Sequence, residues 1–240
     1  MSMLSSLLGD ALSLLFPPVC PVCGALLHSR EAVVCPSCEI TAPLTNLWLE
    51  EHNPMSERFW GLLPIQRAAA FLWYVEGSPW RKVIHNFKYG GRWRVAYDMG
   101  RWYGACLREG GLFSDVDVVV PVPLHWRRRL SRGYNQSEYL ARGIAHELGV
   151  ECDMKSVRRW RYNSSQVVHN TAERWENVEN IFHVRYPERL RDKHVLLVDD
   201  VFTTGATIMS LGSEVRSKAE NVRLSVAVLA TSRHSLHVAP

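Results

Sequence analysis

Several familiar signatures are missing from this 240-residue sequence. It has no Gly-Lys dipeptide, which excludes a GxxxxGK[ST] phosphate loop, and no GxG, which removes the standard dinucleotide fingerprint. No Lys or Arg precedes Arg30, Asp10 interrupts the apolar start, and Pro17-Pro18 stands where an export signal would carry small residues. No apolar run approaches the length needed to span a bilayer. Internal repeats and low-complexity tracts are also lacking. The expectation is a cytoplasmic protein with no membrane span.

What is present is enough for a sizeable core: 47% of the residues are hydrophobic, and the length suits a main domain plus an appendage. The formal charge of +4 is too weak, taken whole, to announce a nucleic-acid binder. The charge is uneven, however. Residues 125–174 hold ten Lys/Arg against five acids, a cationic region suited to phosphates on a small molecule or on a nucleic acid. At the start, Leu4, Leu7, Leu8, Ala11, Leu12 and Leu15 share one helical face, predicting a short amphipathic helix.

Four of the six cysteines form two CxxC pairs, Cys20/Cys23 and Cys35/Cys38. Each pair can fold into a knuckle whose amides face the sulfurs, and two knuckles supply four thiolates for tetrahedral Zn²⁺. Two disulfides or four reduced thiols are the competing readings; without an export signal, structural zinc is favoured. Such a ribbon is too small to bury a core and would depend on the metal. His28, between the pairs, is a spare ligand, and Cys106 and Cys152 read as ordinary core residues.

Residues 39–66 have weak periodicity, and Ala68–Val75 suits a buried strand. Ser78 and Pro79 open a helix stopped by Gly90-Gly91. A second helix, with Val95, Met99, Trp102 and Cys106 inward, ends at Gly110-Gly111. Then strands and helices alternate: strand Val116–Val120, helix Gln136–Leu148, a short strand within Val178–Val184, strand Val195–Val198, helix Thr207–Lys218 and strand Val222–Ala230. This predicts an α/β fold with a parallel sheet covered on both faces. The expected divisions are 1–42 (helix and ribbon), 43–115 (a hood or linker region with a strand and two helices) and 116–240 (the core). Ligands in such folds sit beyond the carboxyl ends of the strands, where the loops after Val120 and Val198 lie.

The stretch VLLVDDVFTTGATI, residues 195–208, carries the sharpest chemistry. Asp199 and Asp200 leave a buried strand where two carboxylates can accept hydrogen bonds from vicinal sugar hydroxyls. Thr203, Thr204, Gly205, Ala206 and Thr207 then form a turn whose amides converge at a helix N-terminus, an anion cradle. Gly205 lets the backbone approach a phosphate. Acids for ribose hydroxyls and a cradle for a 5′-phosphate describe a reader of ribose 5-phosphate. The plain alternative, a capped helix beside two solvated acids, leaves adjacent acids at a sheet edge without a partner, which is costly.

These residues resemble the phosphoribosyl pyrophosphate (PRPP) motif of type I phosphoribosyltransferases. The wider pattern resembles the ComF family of competence and DNA-utilisation proteins. It comprises the paired CxxC, Phe87-Lys88-Tyr89, Val120-Pro121-Val122-Pro123-Leu124, Arg132-Gly133-Tyr134-Asn135-Gln136, Arg161, Gln166, Arg174, Asn177, Asn180 and Phe182. Asn163 stands where that family has Thr, and His169 where it has an aliphatic residue.

The resemblance implies a type I phosphoribosyltransferase-like sheet with a small N-terminal zinc ribbon. It gives Asp199 and Asp200 the ribose hydroxyls, and Thr203 to Thr207 the 5′-phosphate. The pyrophosphate loop would run from Pro123 to Arg132, with Leu124, His125, Arg128 and Arg132 binding and Arg129 assisting catalysis; arginine forks suit so charged a leaving group. A loop near Arg159–Thr171 would close over the ligand, with Arg161, Gln166 and Arg174 as its assigned residues. Mg²⁺ would bridge pyrophosphate and ribose oxygens. The implied reaction is transfer of phosphoribose with pyrophosphate release, which needs no covalent nucleophile. A second implied reading is a catalytically silent PRPP-sensing or DNA-binding competence protein, using ribbon and basic strip on single-stranded DNA or a competence-machinery partner.

Overall fold

The computed structural model describes residues 18–27, 33–86, 93–126, 129–130, 133–160 and 181–238. The expected amphipathic helix over residues 4–15, His28, and Phe87-Lys88-Tyr89 lie outside these residues.

The chain begins with the cysteine knuckles. Gly24 N–H donates to Cys20 C=O at 2.9 Å, closing the first turn, and a single bridge pairs Val19 with Leu26. Directly after Cys35, Pro36 opens α1 (Pro36–Ile40), a position where its missing N–H costs nothing. Next, α2 (Pro54–Glu57) starts from Asn53, whose side chain accepts from the amides of Met55 and Ser56.

Five strands form one sheet, in the order β1 (Ala68–Trp73), β7 (Arg223–Thr231), β6 (His194–Phe202), β2 (Val118–Pro121), β3 (Glu151–Cys152). Every pairing in it is parallel. Helices α3 (Pro79–Asn86) and α4 (Trp93–Gly110) lie between β1 and β2 in the chain. Helix α5 (Gln136–Leu148) connects β2 to β3, and α6 (Ala206–Lys218) connects β6 to β7. The parallel sheet with flanking helices expected from the sequence is therefore present. Its central strands are uninterrupted aliphatic runs: Val118–Val120 and Val195–Val198 are all buried, as strands covered on both faces must be. The hood segment also contributes to this sheet, because β1 pairs along its length with β7.

A smaller antiparallel pair, β4 (Val157–Arg159) with β5 (Phe182–Val184), stands apart from the main sheet. Strands β3 and β4 are absent from the sequence reading, being two and three residues long with no alternation to reveal them.

Helix α4 buries a different face from the one expected. Ala96, Met99, Gly100, Tyr103, Gly104 and Leu107 are buried, whereas Val95, Trp102 and Cys106 are half-buried. The reason is glycine. A Cβ on Gly100 would collide with the Leu140 carbonyl, and one on Gly143 with the Tyr97 carbonyl. The α4 and α5 backbones touch through these positions, a contact that a hydrophobicity pattern does not register.

The sheet sets the position of the site. From β2 the chain crosses outward to β3, and from β6 it crosses the other way to β7. The β2/β6 boundary is thus a switch in direction, where α/β sheets open a crevice at their carboxyl ends.

Candidate functional site

A cleft of about 160 Å³ lies at that boundary. Its walls are the end of β2 and the following loop (Val122, Pro123, Leu124), the start of α5 (Asn135, Gln136, Ser137), Arg159 from β4, and Asp199, Asp200, Val201 and Thr207. An adjoining recess is lined by Asp199, Val201, Phe202 and the whole turn from Thr203 to Ile208. Asp199, Val201 and Thr207 belong to both, so the acids and the cradle share one rim.

Val195 to Val198 of β6 are fully buried, and the strand carries its two acids to the edge of the core, where each is half-buried. Asp199 Oδ1 accepts from the Ser137 hydroxyl at 3.0 Å and from the Asp200 N–H at 2.9 Å. Asp200 Oδ1 accepts from Val201 N–H at 2.8 Å. Burial pushes the Asp199 carboxyl up, and the Asp200 charge pushes the same way; against them the Asp200 amide, the Ser137 hydroxyl and the more distant Arg159 leave it at about 7.

The cradle is built by local geometry. Gly205 has φ +78° and precedes α6, and a Cβ there would meet the Phe202 ring at 2.9 Å. Both facts demand glycine. Ala206 N–H donates to the Thr204 hydroxyl at 3.4 Å, and the residues from Thr203 through the first turn of α6 line the recess, at the positive end of the helix dipole.

The remaining expected residues divide. Leu124 lines the cleft, while His125 is buried with its ring against Trp126, centroids 5.5 Å apart. Arg129 is exposed, with its guanidinium 3.5 Å from Glu138, and does not line the cleft. Arg128, Arg132, Arg161, Gln166 and Arg174 lie outside the described residues, as do Asn163 and His169. Asn135, Gln136 and Ser137 line the cleft although no role was expected of them there, and so does Arg159, expected at the start of the loop that closes over the ligand. A signal existed for the first: an Asn immediately before a helix pattern marks an N-cap, and its side chain does accept from Ser137 N–H at 3.2 Å.

The cysteines form a separate cluster. The sulfurs of Cys20, Cys23, Cys35 and Cys38 all lie within 4.8 Å of one another, with Cys23 and Cys35 3.6 Å apart. Four sulfurs about 2.3 Å from a central Zn²⁺ would be spaced by about 3.8 Å, so the donor set fits a tetrahedral metal. All four thiols are free rather than disulfide-bonded. Burial pushes the Cys20 thiol up, but the amides of Cys23, Cys35 and Val22 outweigh it and bring the group down to about 7. Cys38 moves the other way, raised by burial and by its hydrogen bonds with Cys23 and Cys35. Four cysteines so placed could hold a metal such as zinc. Cys106 and Cys152 are half-buried, and burial raises their thiols to about 11 and about 12, which makes them unreactive. Among the described residues, no helix is long and apolar enough to cross a membrane.

Comparison with known proteins gives several similarities. Residues 135–238 match the phosphoribosyl transferase domain family, a span that begins at the α5 cap and includes the acids and the cradle. Over 197 residues the chain is 29% identical to the DNA utilization protein YhgH of Salmonella typhimurium, covering 80% of this chain and 82% of that protein. It is 26% identical over 147 residues to Competence protein F of Haemophilus influenzae, covering 60% and 63% respectively. A solved structure of the allosteric regulatory enzyme of purine biosynthesis is similar at 18% identity with a TM-score of 0.40, over 60% of this chain and 30% of that one.

Proposed function

We propose, for a chain whose matches support a phosphoribosyltransferase-like protein of the ComF family, that the cleft binds PRPP and transfers its phosphoribose to an acceptor, releasing pyrophosphate. The observation that carries this reading is the shared rim, where two carboxylates and a helix N-terminus face one cavity through Asp199 and Thr207. The carboxylates accept from the 2′- and 3′-hydroxyls, and the amides of Thr203 to Thr207 hold the 5′-phosphate. The loop from Pro123 to Arg132 takes the pyrophosphate.

Asp199 and Asp200 wall one end of the cleft and would hold a dication arriving with PRPP, which would offset the charge on the departing pyrophosphate. In the reaction the C1–O bond to pyrophosphate breaks, its electron pair leaves with the diphosphate, and the acceptor's lone pair forms the new bond at C1. The chain contributes position and charge rather than a nucleophile. Zinc at the four cysteines would serve folding of the ribbon, and none of the four lines the cleft.

A second reading is a silent PRPP sensor that engages single-stranded DNA. It draws on Trp126 and Trp160, which are exposed and sit close in sequence to the cleft residues Leu124 and Arg159, with the Arg158 guanidinium 4.4 Å from the Trp160 ring. Incubation with PRPP, Mg²⁺ and a panel of bases and single-stranded DNA separates the two. Pyrophosphate release with one acceptor supports transfer. PRPP binding with no release, alongside salt-sensitive DNA binding, supports the sensor.

A further inference from the structure

One wall of the cleft is the first turn of α5, which has no ligand contact assigned to it. Asn135 and Ser137 are 2% and 4% exposed, so their polar groups must find partners inside the protein. Those partners form a chain. Asn135 Nδ2 donates to the Val122 carbonyl at 3.0 Å, Ser137 N–H donates to Asn135 Oδ1 at 3.2 Å, and the Ser137 hydroxyl donates to Asp199 Oδ1 at 3.0 Å. The Asp200 N–H reaches the same oxygen at 2.9 Å. Two donors on one oxygen fix the rotation of the carboxylate, and among the described residues no hydrogen bond occupies Oδ2.

We propose that Ser137 is a positioning residue: through Asn135 and Val122 it ties the carboxylate that grips the pentose to the loop that receives the leaving group. This inference rests on the PRPP reading above and adds to it a specific mechanical link. Without the hydroxyl, Asp199 keeps one donor from its own strand and loses the one that comes from α5. Its rotation, and its spacing from the loop after β2, are then no longer set by the same turn of helix. The groups acting on Asp199 are Asp200 from β6, Arg159 from β4 and Ser137 from α5, and only the last is removed by Ser137→Ala.

The test measures PRPP affinity against pH in the full-length protein for wild type, Ser137→Ala, Ser137→Thr and Asp199→Asn. Ser137→Ala is expected to weaken binding about tenfold, the loss of one hydrogen bond to a charged group. It also moves the binding midpoint to higher pH, because one donor that holds the carboxylate ionised is gone. Ser137→Thr restores both, and Asp199→Asn loses binding altogether. A purely structural serine would lower thermal stability without moving the pH midpoint. If Ser137→Ala matches wild type in affinity and midpoint while Asp199→Asn abolishes binding, the link is wrong and the PRPP site stands. If Asp199→Asn binds normally, the PRPP reading falls and the link with it. Should Ser137→Ala not fold, Ser137→Cys, of similar shape but a weak donor, is read by the same criteria.

Discussion

The two ends of the sheet carry the same kind of residue and treat it in opposite ways. At the amino-terminal end, Asp115 is met by Arg67 at 2.8 Å, Arg223 at 3.0 Å and His194 Nδ1 at 3.2 Å. Burial pushes its carboxyl up, yet His194 when protonated, the Arg67 charge and the hydrogen bonds from Arg67 and Arg223 hold it below the usual range. At the carboxyl-terminal end, Asp199 has hydrogen bonds but no ion pair among the described residues, and its carboxyl rises to about 7. One end is internally neutralised and reads as structure. The other sets Asp199 and Asp200 in the wall of a cavity. That contrast is what supports placing the proposed binding site at the carboxyl-terminal end.

The largest expected effect is on binding. Asp200→Asn should weaken PRPP by about 100-fold or more by calorimetry, since each hydroxyl bond to a charged acceptor is worth about 1.5–3 kcal/mol; Asp115→Asn should leave affinity within about twofold. Equal losses from both would erase the distinction between the ends. Next comes the cradle: Gly205→Ala forces a side chain into positive φ and against Phe202, and should cost about 2 kcal/mol in denaturant unfolding. A smaller loss, about 1–2 kcal/mol, is expected for Asp115→Asn, which leaves Arg67 and Arg223 facing a neutral group that remains partly solvated. A change below about 0.3 kcal/mol would demote the amino-terminal network to surface decoration.

The smallest effect is the dependence of ligand-free stability on pH. An unfolded Asp releases its proton near about 3.9, whereas Asp199 holds its proton to about 7 when folded. The folded state therefore binds more protons between these values, so this group lowers stability as pH rises through the window and contributes nothing further above it. Asp199→Asn should melt higher than wild type by a few degrees at pH 7 and by little at pH 4; the same margin at both would contradict the raised carboxyl.

Much of this was legible in the chain. Gln136–Leu148 falls where it was expected because Asn135 caps it and Gly149, with φ +70°, ends it. The paired acids stand out because charge following an aliphatic run has few structural uses. Ser137 does not stand out, since a serine in the first turn of a helix is ordinary until β6 places a carboxylate beside it. Arg159 was expected at the start of the closing loop, but its place at the end of β4 was not legible, because that strand is too short to announce itself. Sequence pattern reports periodicity and caps well; it is blind to which side chains distant segments bring face to face.

The glycine seam between α4 and α5 has a consequence for engineering. With backbone pressed on backbone at Gly100 and Gly143, the two helices cannot slide or roll past each other and behave as one rigid lever. One arm is the turn that carries Ser137; the other is α4. Redesigning α4 therefore tugs on the wall of the cleft proposed to hold the sugar, and a bulkier residue at either glycine would pry that wall out of register from a distance.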